Sequence, residues 1–162
     1  MFQDKDVDQQ ALHYFKKAYD LQMQGDYDEA VIHYKKSLEV EATAEAYTFL
    51  GWAYSFMEKY DEAISECHKA IRIDPGFGNP YNDIGSYLMK KEQFKEAIPW
   101  FEKAKKAKRY DNPEFPYCNL GKVYESLGLW PLAIKEYRKA LELYGLYKIA
   151  RLELFKLEAN LN

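Results

Sequence analysis

The stretch that decides the fold is residues 47–63, Tyr47-Thr48-Phe49-Leu50-Gly51-Trp52-Ala53-Tyr54-Ser55-Phe56-Met57-Glu58-Lys59-Tyr60-Asp61-Glu62-Ala63. Gly51 is followed 12 residues later by Ala63, and Tyr60 stands three positions before that alanine. The same spacing recurs in Ala18, Tyr27 and Ala30, in Gly85, Phe94 and Ala97, and in Gly121, Trp130 and Ala133. The marked alanines lie 33, 34 and 36 residues apart. A period of this length means one supersecondary unit stacked on copies of itself. It narrows function to a class, a binding scaffold, without naming the partner.

Aligned on those alanines, four units run over residues 11–43, 44–77, 78–113 and 114–145, after a lead-in at 1–10 and before a last segment at 146–162. The fourth residue of each unit is Tyr14, Tyr47, Tyr81 or Tyr117. The twenty-fourth is Tyr34, Cys67, Phe101 or Tyr137, and the twenty-seventh is Ser37, Ala70, Ala104 or Ala140. Offsets of three, four and seven place these residues on one face of a first helix and one face of a second. The small eighth residue lets the two helices approach closely, and the aromatics fill the space beside that contact.

The pattern resembles the tetratricopeptide repeat family over residues 11–144. Gly25-Asp26-Tyr27-Asp28-Glu29-Ala30 and Tyr60-Asp61-Glu62-Ala63 are similar to that family's inter-helix turn and second-helix start, and Asp74-Pro75 to its repeat-ending proline. Unit one departs with Lys17-Ala18 where Leu-Gly is usual and has no closing proline. Unit three departs with a two-residue insertion around Asp111-Asn112-Pro113. The resemblance implies an all-α, right-handed solenoid of four helix-turn-helix repeats with a C-terminal capping helix.

Composition fits that reading. A chain of 162 residues suits one domain. Ten of the 15 tyrosines stand at repeated positions and are packing residues by default. Net charge is −3, which argues for neither nucleic acid nor membrane as partner. Its distribution is uneven: residues 1–62 hold 13 acidic and 6 basic side chains, net −7, and residues 63–162 are net +4. Solvated faces account for such drift, and an electrostatic axis that orients a partner or a second copy is the sharper reading. Cys67 and Cys118 lie nearly two units apart, too far for a disulfide, and read as free thiols of a reducing, cytoplasmic protein. The polar start Met1-Phe2-Gln3-Asp4 carries no export signal.

Helix ends are also legible. Gly25 and Gly128 end first helices, Asp26 and Asp61 suit the N-caps of second helices, and Pro131 falls in a first turn. Pro99 sits inside a second helix, removes a backbone donor and predicts a bend. In the last segment Leu146, Ile149, Ala150, Glu153 and Leu157 form one stripe that would cover unit four around Tyr137 and Leu141, with Leu152, Leu154 and Phe155 off it. A terminal cap of this kind is what a repeat stack needs.

No enzymatic chemistry is expected. His13, His33 and His68 have no metal-ligand spacing, neither cysteine has a positioned histidine, and no phosphate loop occurs, so no cofactor or metal is implied. The basic run Lys103 to Arg109 complements a helix C-terminus, and Tyr110 is the single aromatic adjacent to it.

In the family this chain resembles, first helices line a concave groove with residues off the packing stripe. Unit one offers Leu12, Phe15, Lys16, Tyr19, Gln22 and Met23, and unit two Glu45, Thr48, Phe49, Trp52, Ser55 and Phe56. Unit three offers Asn79, Asn82, Asp83, Ser86, Met89 and Lys90, and unit four Phe115, Cys118, Asn119, Lys122, Glu125 and Ser126. The candidate site is Phe15, Tyr19, Phe49, Trp52 and Phe56 as apolar anchors, with Asn82 and Asn119 as amides able to hold a peptide backbone. The Lys/Asn clamp by which some members of the family take acidic chaperone tails is absent: its places hold Phe15, Tyr19, Phe49, Asn79 and Asp83. The expected partner is a peptide or helix of another protein. The alternative is a self-assembling structural element that forms a homo-oligomer, such as a homodimer, through the C-terminal helix.

Overall fold

The computed structural model describes residues 2–145 and 147–160, with side chains from residue 9 onward; Leu146 and Leu161 lie outside the described residues. Nine helices occur among the described residues: α1 (Phe2–Met23), α2 (Tyr27–Val40), α3 (Ala44–Phe56), α4 (Tyr60–Ile73), α5 (Asn79–Lys90), α6 (Phe94–Lys105), α7 (Phe115–Ser126), α8 (Trp130–Leu143) and α9 (Lys148–Asn160). None is long and apolar enough to cross a membrane. Residues 2–10 run without a break into α1. The chain forms two compact units, Met1–Pro80 and Tyr81–Asn162. Stability in a repeat protein comes from contacts within and between adjoining repeats, so more than one compact unit along a chain is compatible with that architecture.

In the first unit, α1 packs on α2, α2 on α3 and α3 on α4. Its core joins Ala18, Ala30, Tyr34, Leu50 and Ala53, the small and aromatic positions of the repeat. Ser37 Oγ donates to the Ala11 carbonyl at 2.8 Å and ties the far end of α2 to α1. In the second unit α6 packs on α7, α7 on α8 and α8 on α9. Phe101 and Tyr137 are fully buried there, as Tyr34 is in the first unit. Burial of each contributes roughly 1.5–3 kcal/mol. Tyr34 and Tyr137 use the same polar outlet, since each hydroxyl donates at 2.9 Å to the residue 12 positions earlier, Gln22 or Glu125.

The turn between the two helices of a repeat is built alike four times. Gly25, Glu58, Glu92 and Gly128 have φ of +85°, +59°, +60° and +72°. The following amide reaches back to a carbonyl five residues earlier: Asp26 to Leu21, Lys59 to Tyr54, Gln93 to Leu88 and Leu129 to Tyr124, at 2.8–3.0 Å. This left-handed closure satisfies a carbonyl the helix end would leave free. Glycine serves it without strain in two turns, while Glu58 and Glu92 hold it against a Cβ clash.

Two sequence expectations shift here. Asp26 is the N-cap of α2 and accepts from the Glu29 amide at 3.4 Å, but the N-cap of α4 is Lys59, and Asp61 falls in the first turn. There Asp61 favours the helix dipole without capping. In α9 the buried residues are Ala150 and Leu157, with Tyr147 and Leu154 packed on the same cluster as Tyr137 and Leu141. Spacings of three, four and three from 147 make a tighter stripe than the expected one. Ile149 is therefore 45% exposed beside Leu152 and Phe155, and Leu154 turns inward.

Candidate functional site

The first unit carries an open cleft of about 760 Å³. One wall is α1, through Leu12, Phe15, Lys16 and Tyr19; the other is α3, through Glu45 and Phe49; Glu41 and Thr43 of the α2–α3 connection close one end. The helical register explains the first wall. Leu12, Phe15 and Tyr19 follow each other at three and four residues, so one stripe of α1 faces the opening while Ala18 packs with Ala30 and Tyr34 of α2.

Aromatic rings make the floor. Phe49 packs edge-on against Phe15 at 5.2 Å, Tyr19 at 5.9 Å and Trp52 at 5.3 Å between centroids. Phe15 also meets the buried Tyr34 edge-on at 5.5 Å. Burial, with Tyr19 nearby, raises the Tyr34 phenol above its ordinary range, so it stays a neutral donor to Gln22. Phe15 and Phe49 are half-buried, whereas Tyr19 and Trp52 are 40% and 41% exposed and Leu12 is 49% exposed. Among the described residues that line the cleft, the charged ones are Asp20, Glu41 and Glu45 against Lys16.

The seven candidate residues fall in both units, five in the first and two in the second. Phe15, Tyr19, Phe49 and Trp52 come together. Neither Trp52 nor Phe56 is among the cleft residues: Trp52 borders them through Phe49, and Phe56, at the end of α3, stacks flat on Tyr27 at 5.0 Å. Asn82 and Asn119 lie in the second unit, where Asn119 Nδ2 donates to Asn82 Oδ1 at 3.0 Å and Asn82 is only 7% exposed. Asn82 also bonds the Asp83 carboxyl, whose pKa burial nevertheless pushes up to about 7. These amides therefore spend hydrogen-bonding capacity on each other and on Asp83. Three further positions expected in a groove are covered. Gln22 accepts from Tyr34, Thr48 donates to the Ala44 carbonyl at 2.8 Å, and Cys118 is fully buried with its thiol raised by that burial. Phe115 is stacked on Tyr147 at 5.6 Å. Asp20, Glu41 and Thr43 were not singled out from sequence, because the last two sit in a connection outside the helical periodicity.

Part of the basic run is structural. Lys105 Nζ bonds Glu136 at 2.7 Å and Glu102 at 3.1 Å and lies 4.4 Å from the Tyr117 ring centroid, and Lys103 lies 4.3 Å from that of Trp100.

Comparison with known proteins follows the repeat. Tetratricopeptide repeat family models match residues 8–75, 79–111 and 116–145. Small glutamine-rich tetratricopeptide repeat-containing protein 2 of Mycosarcoma maydis is 30% identical over 79 residues, 48% of this chain and 22% of that protein. The chain spans only a small part of the first two curated relatives it matches, 6% and 22% of their lengths. Among solved structures, Pseudomonas aeruginosa pilF superposes with a TM-score of 0.88 at 21% identity, over 96% of this chain and 70% of that one. YrrB, described as a TPR protein with an unusual peptide-binding site, superposes at 0.68 with 25% identity, over 93% and 77% of the two chains. The fold class is the all-α helical-repeat solenoid.

Proposed function

This chain belongs to the tetratricopeptide repeat family, and from that premise we propose that it is a non-enzymatic protein-interaction scaffold whose site is the cleft of the first unit. One observation carries the reading: Tyr19 leaves about two fifths of its surface open beside Phe15, Phe49 and Leu12 in the cleft, and Trp52, equally open, packs on the Phe49 ring next to it. Phe15 and Phe49 also pack on the repeat core, whereas Tyr19 and Trp52 lie outside it, and clustered exposed apolar groups with Tyr and Trp among them are the composition of a binding hot spot. The ligand is an apolar helix or extended peptide of a partner protein. The likeness to YrrB, whose structure is described by its peptide-binding site, supports the same use of the fold.

The test starts from peptides selected from a displayed random library on the wild-type chain. Their affinity is then measured by calorimetry for wild type and for Tyr19→Ala with Trp52→Ala. The double variant keeps its helicity, because both rings are substantially exposed, and loses at least about tenfold in affinity, equal to about 1.4 kcal/mol. Unchanged affinity would place binding elsewhere.

A further inference from the structure

We propose that the occupant of the cleft is α9 of another copy of this chain, so that the protein associates head to tail. The proposal rests on the cleft being a binding site, and it names the partner.

Two surfaces carry it. The cleft in the first unit is aromatic, with Asp20, Glu41 and Glu45 on its rim against Lys16. In the second unit, the exposed face of α9 presents Ile149, Leu152 and Phe155, which are 45%, 52% and 70% exposed, edged by Lys148 and Arg151. The inward stripe at 147, 150, 154 and 157 already fixes α9 to its own unit, so this face is left over from folding. Its three apolar side chains at i, i+3 and i+6 span about 9 Å of helix, and the cleft wall from Leu12 to Tyr19 runs about 10 Å along α1. A helix laid by its apolar face into a groove is a standard recognition mode.

Charge decides between this arrangement and a symmetric contact. Pairing of α9 with itself would bring the cations Lys148 and Arg151 of two copies together. The acidic side chains of α9 do not relieve this, since Glu153 pairs with Lys156 and Glu158 with Arg138. Laid in the cleft, the same cations meet the carboxylates of Asp20 and Glu41. The wider distribution points the same way, with net −7 over residues 1–62 of one copy attracting the net +4 of residues 63–162 of another. Made once between two copies, a contact between two different surfaces leaves a free cleft on one and a free α9 face on the other, each able to take a further copy.

The full-length chain tests this by light scattering after size-exclusion chromatography. Wild type is expected to grow in mass with concentration, with association weakened about tenfold or more by high salt. Asp20→Lys with Glu41→Lys blocks the cleft, and Leu152→Glu with Phe155→Glu blocks the helix. Each double variant is expected to be folded by circular dichroism and monomeric. Mixed together they form a one-to-one dimer that grows no further, because the first supplies a helix and the second a cleft. A wild-type monomer at every concentration overturns the proposal, as does a dimer that persists in the cleft variant or folded variants that ignore each other on mixing. Selected peptides that still bind through Tyr19 and Trp52 in a monomeric wild type would leave the cleft as a binding site and remove only this occupant.

Discussion

Replacing Gly85 by alanine adds one methyl to α5, and an ideal Cβ there lies 2.6 Å from Phe101 Cε1, 2.7 Å from Cζ and 2.9 Å from Cδ1. Carbon atoms pack at about 3.5–4.0 Å, so the ring has to retreat by about 1 Å. Phe101 is fully buried in a cluster with Ala97, Leu120 and Val123. Overpacking of this kind costs about 2–3 kcal/mol. Alanine returns about 1 kcal/mol of helix propensity. The expected net loss is about 1–2 kcal/mol, a fall of roughly 2–8 °C in melting temperature for a chain of this size. Gly51 is the internal control. Its Cβ would meet the Ala63 carbonyl oxygen at 3.1 Å and Cys67 Sγ at 3.4 Å, because this repeat carries cysteine where the others carry a ring. Gly51→Ala is expected to change stability by less than about 1 kcal/mol, since the propensity gain offsets a mild contact. Urea unfolding followed by circular dichroism measures both. Adding Phe101→Leu to Gly85→Ala should cost less than the two single losses combined, by about 1 kcal/mol. Equal stabilities for Gly85→Ala and Gly51→Ala, or strict additivity in the cycle, would refute the assignment of Gly85 to a close helix contact. Ala18, fully buried alongside Tyr34, shows that a methyl fits at this position when a repeat is built around it.

Two more outcomes are expected. Glu58→Gly and Glu92→Gly remove a side chain from a left-handed turn and should each stabilise by roughly 0.5–1 kcal/mol, read as a higher urea midpoint with unchanged slope. Burial pushes Asp83 from 3.8 to about 7, so folding favours its protonated form; that contribution is complete below pH 3.8 and is lost as pH rises through about 7. Asp83→Asn should therefore flatten the fall in stability between pH 5 and pH 8 and leave the variant about 1–2 kcal/mol more stable at pH 8. A variant with the wild-type pH profile would contradict this.

What the sequence determined by itself was everything carried by spacing within one helix or one turn. The 12-residue link from Gly51 to Ala63, the rings at the twenty-fourth position and the glycines at 25 and 128 are short-range signals, and they place the repeat, its buried face and two of its four turns. The two turns held by Glu58 and Glu92 carry no such signal, since only the backbone of the folded repeat shows their positive φ. Residues off the packing stripe are decided by which neighbouring helix crosses over them, and periodicity in one helix does not encode that. So Phe15, Tyr19, Phe49 and Trp52 gather in one cluster, while Phe56, on the same helix as Trp52, stacks on Tyr27. For the same reason Asn82 and Asn119, 37 residues apart, are found bonded to each other. The tertiary structure also set the phase of α9, turning Leu154 inward and Ile149 outward, because the surface of α8 it covers fixes which stripe is buried.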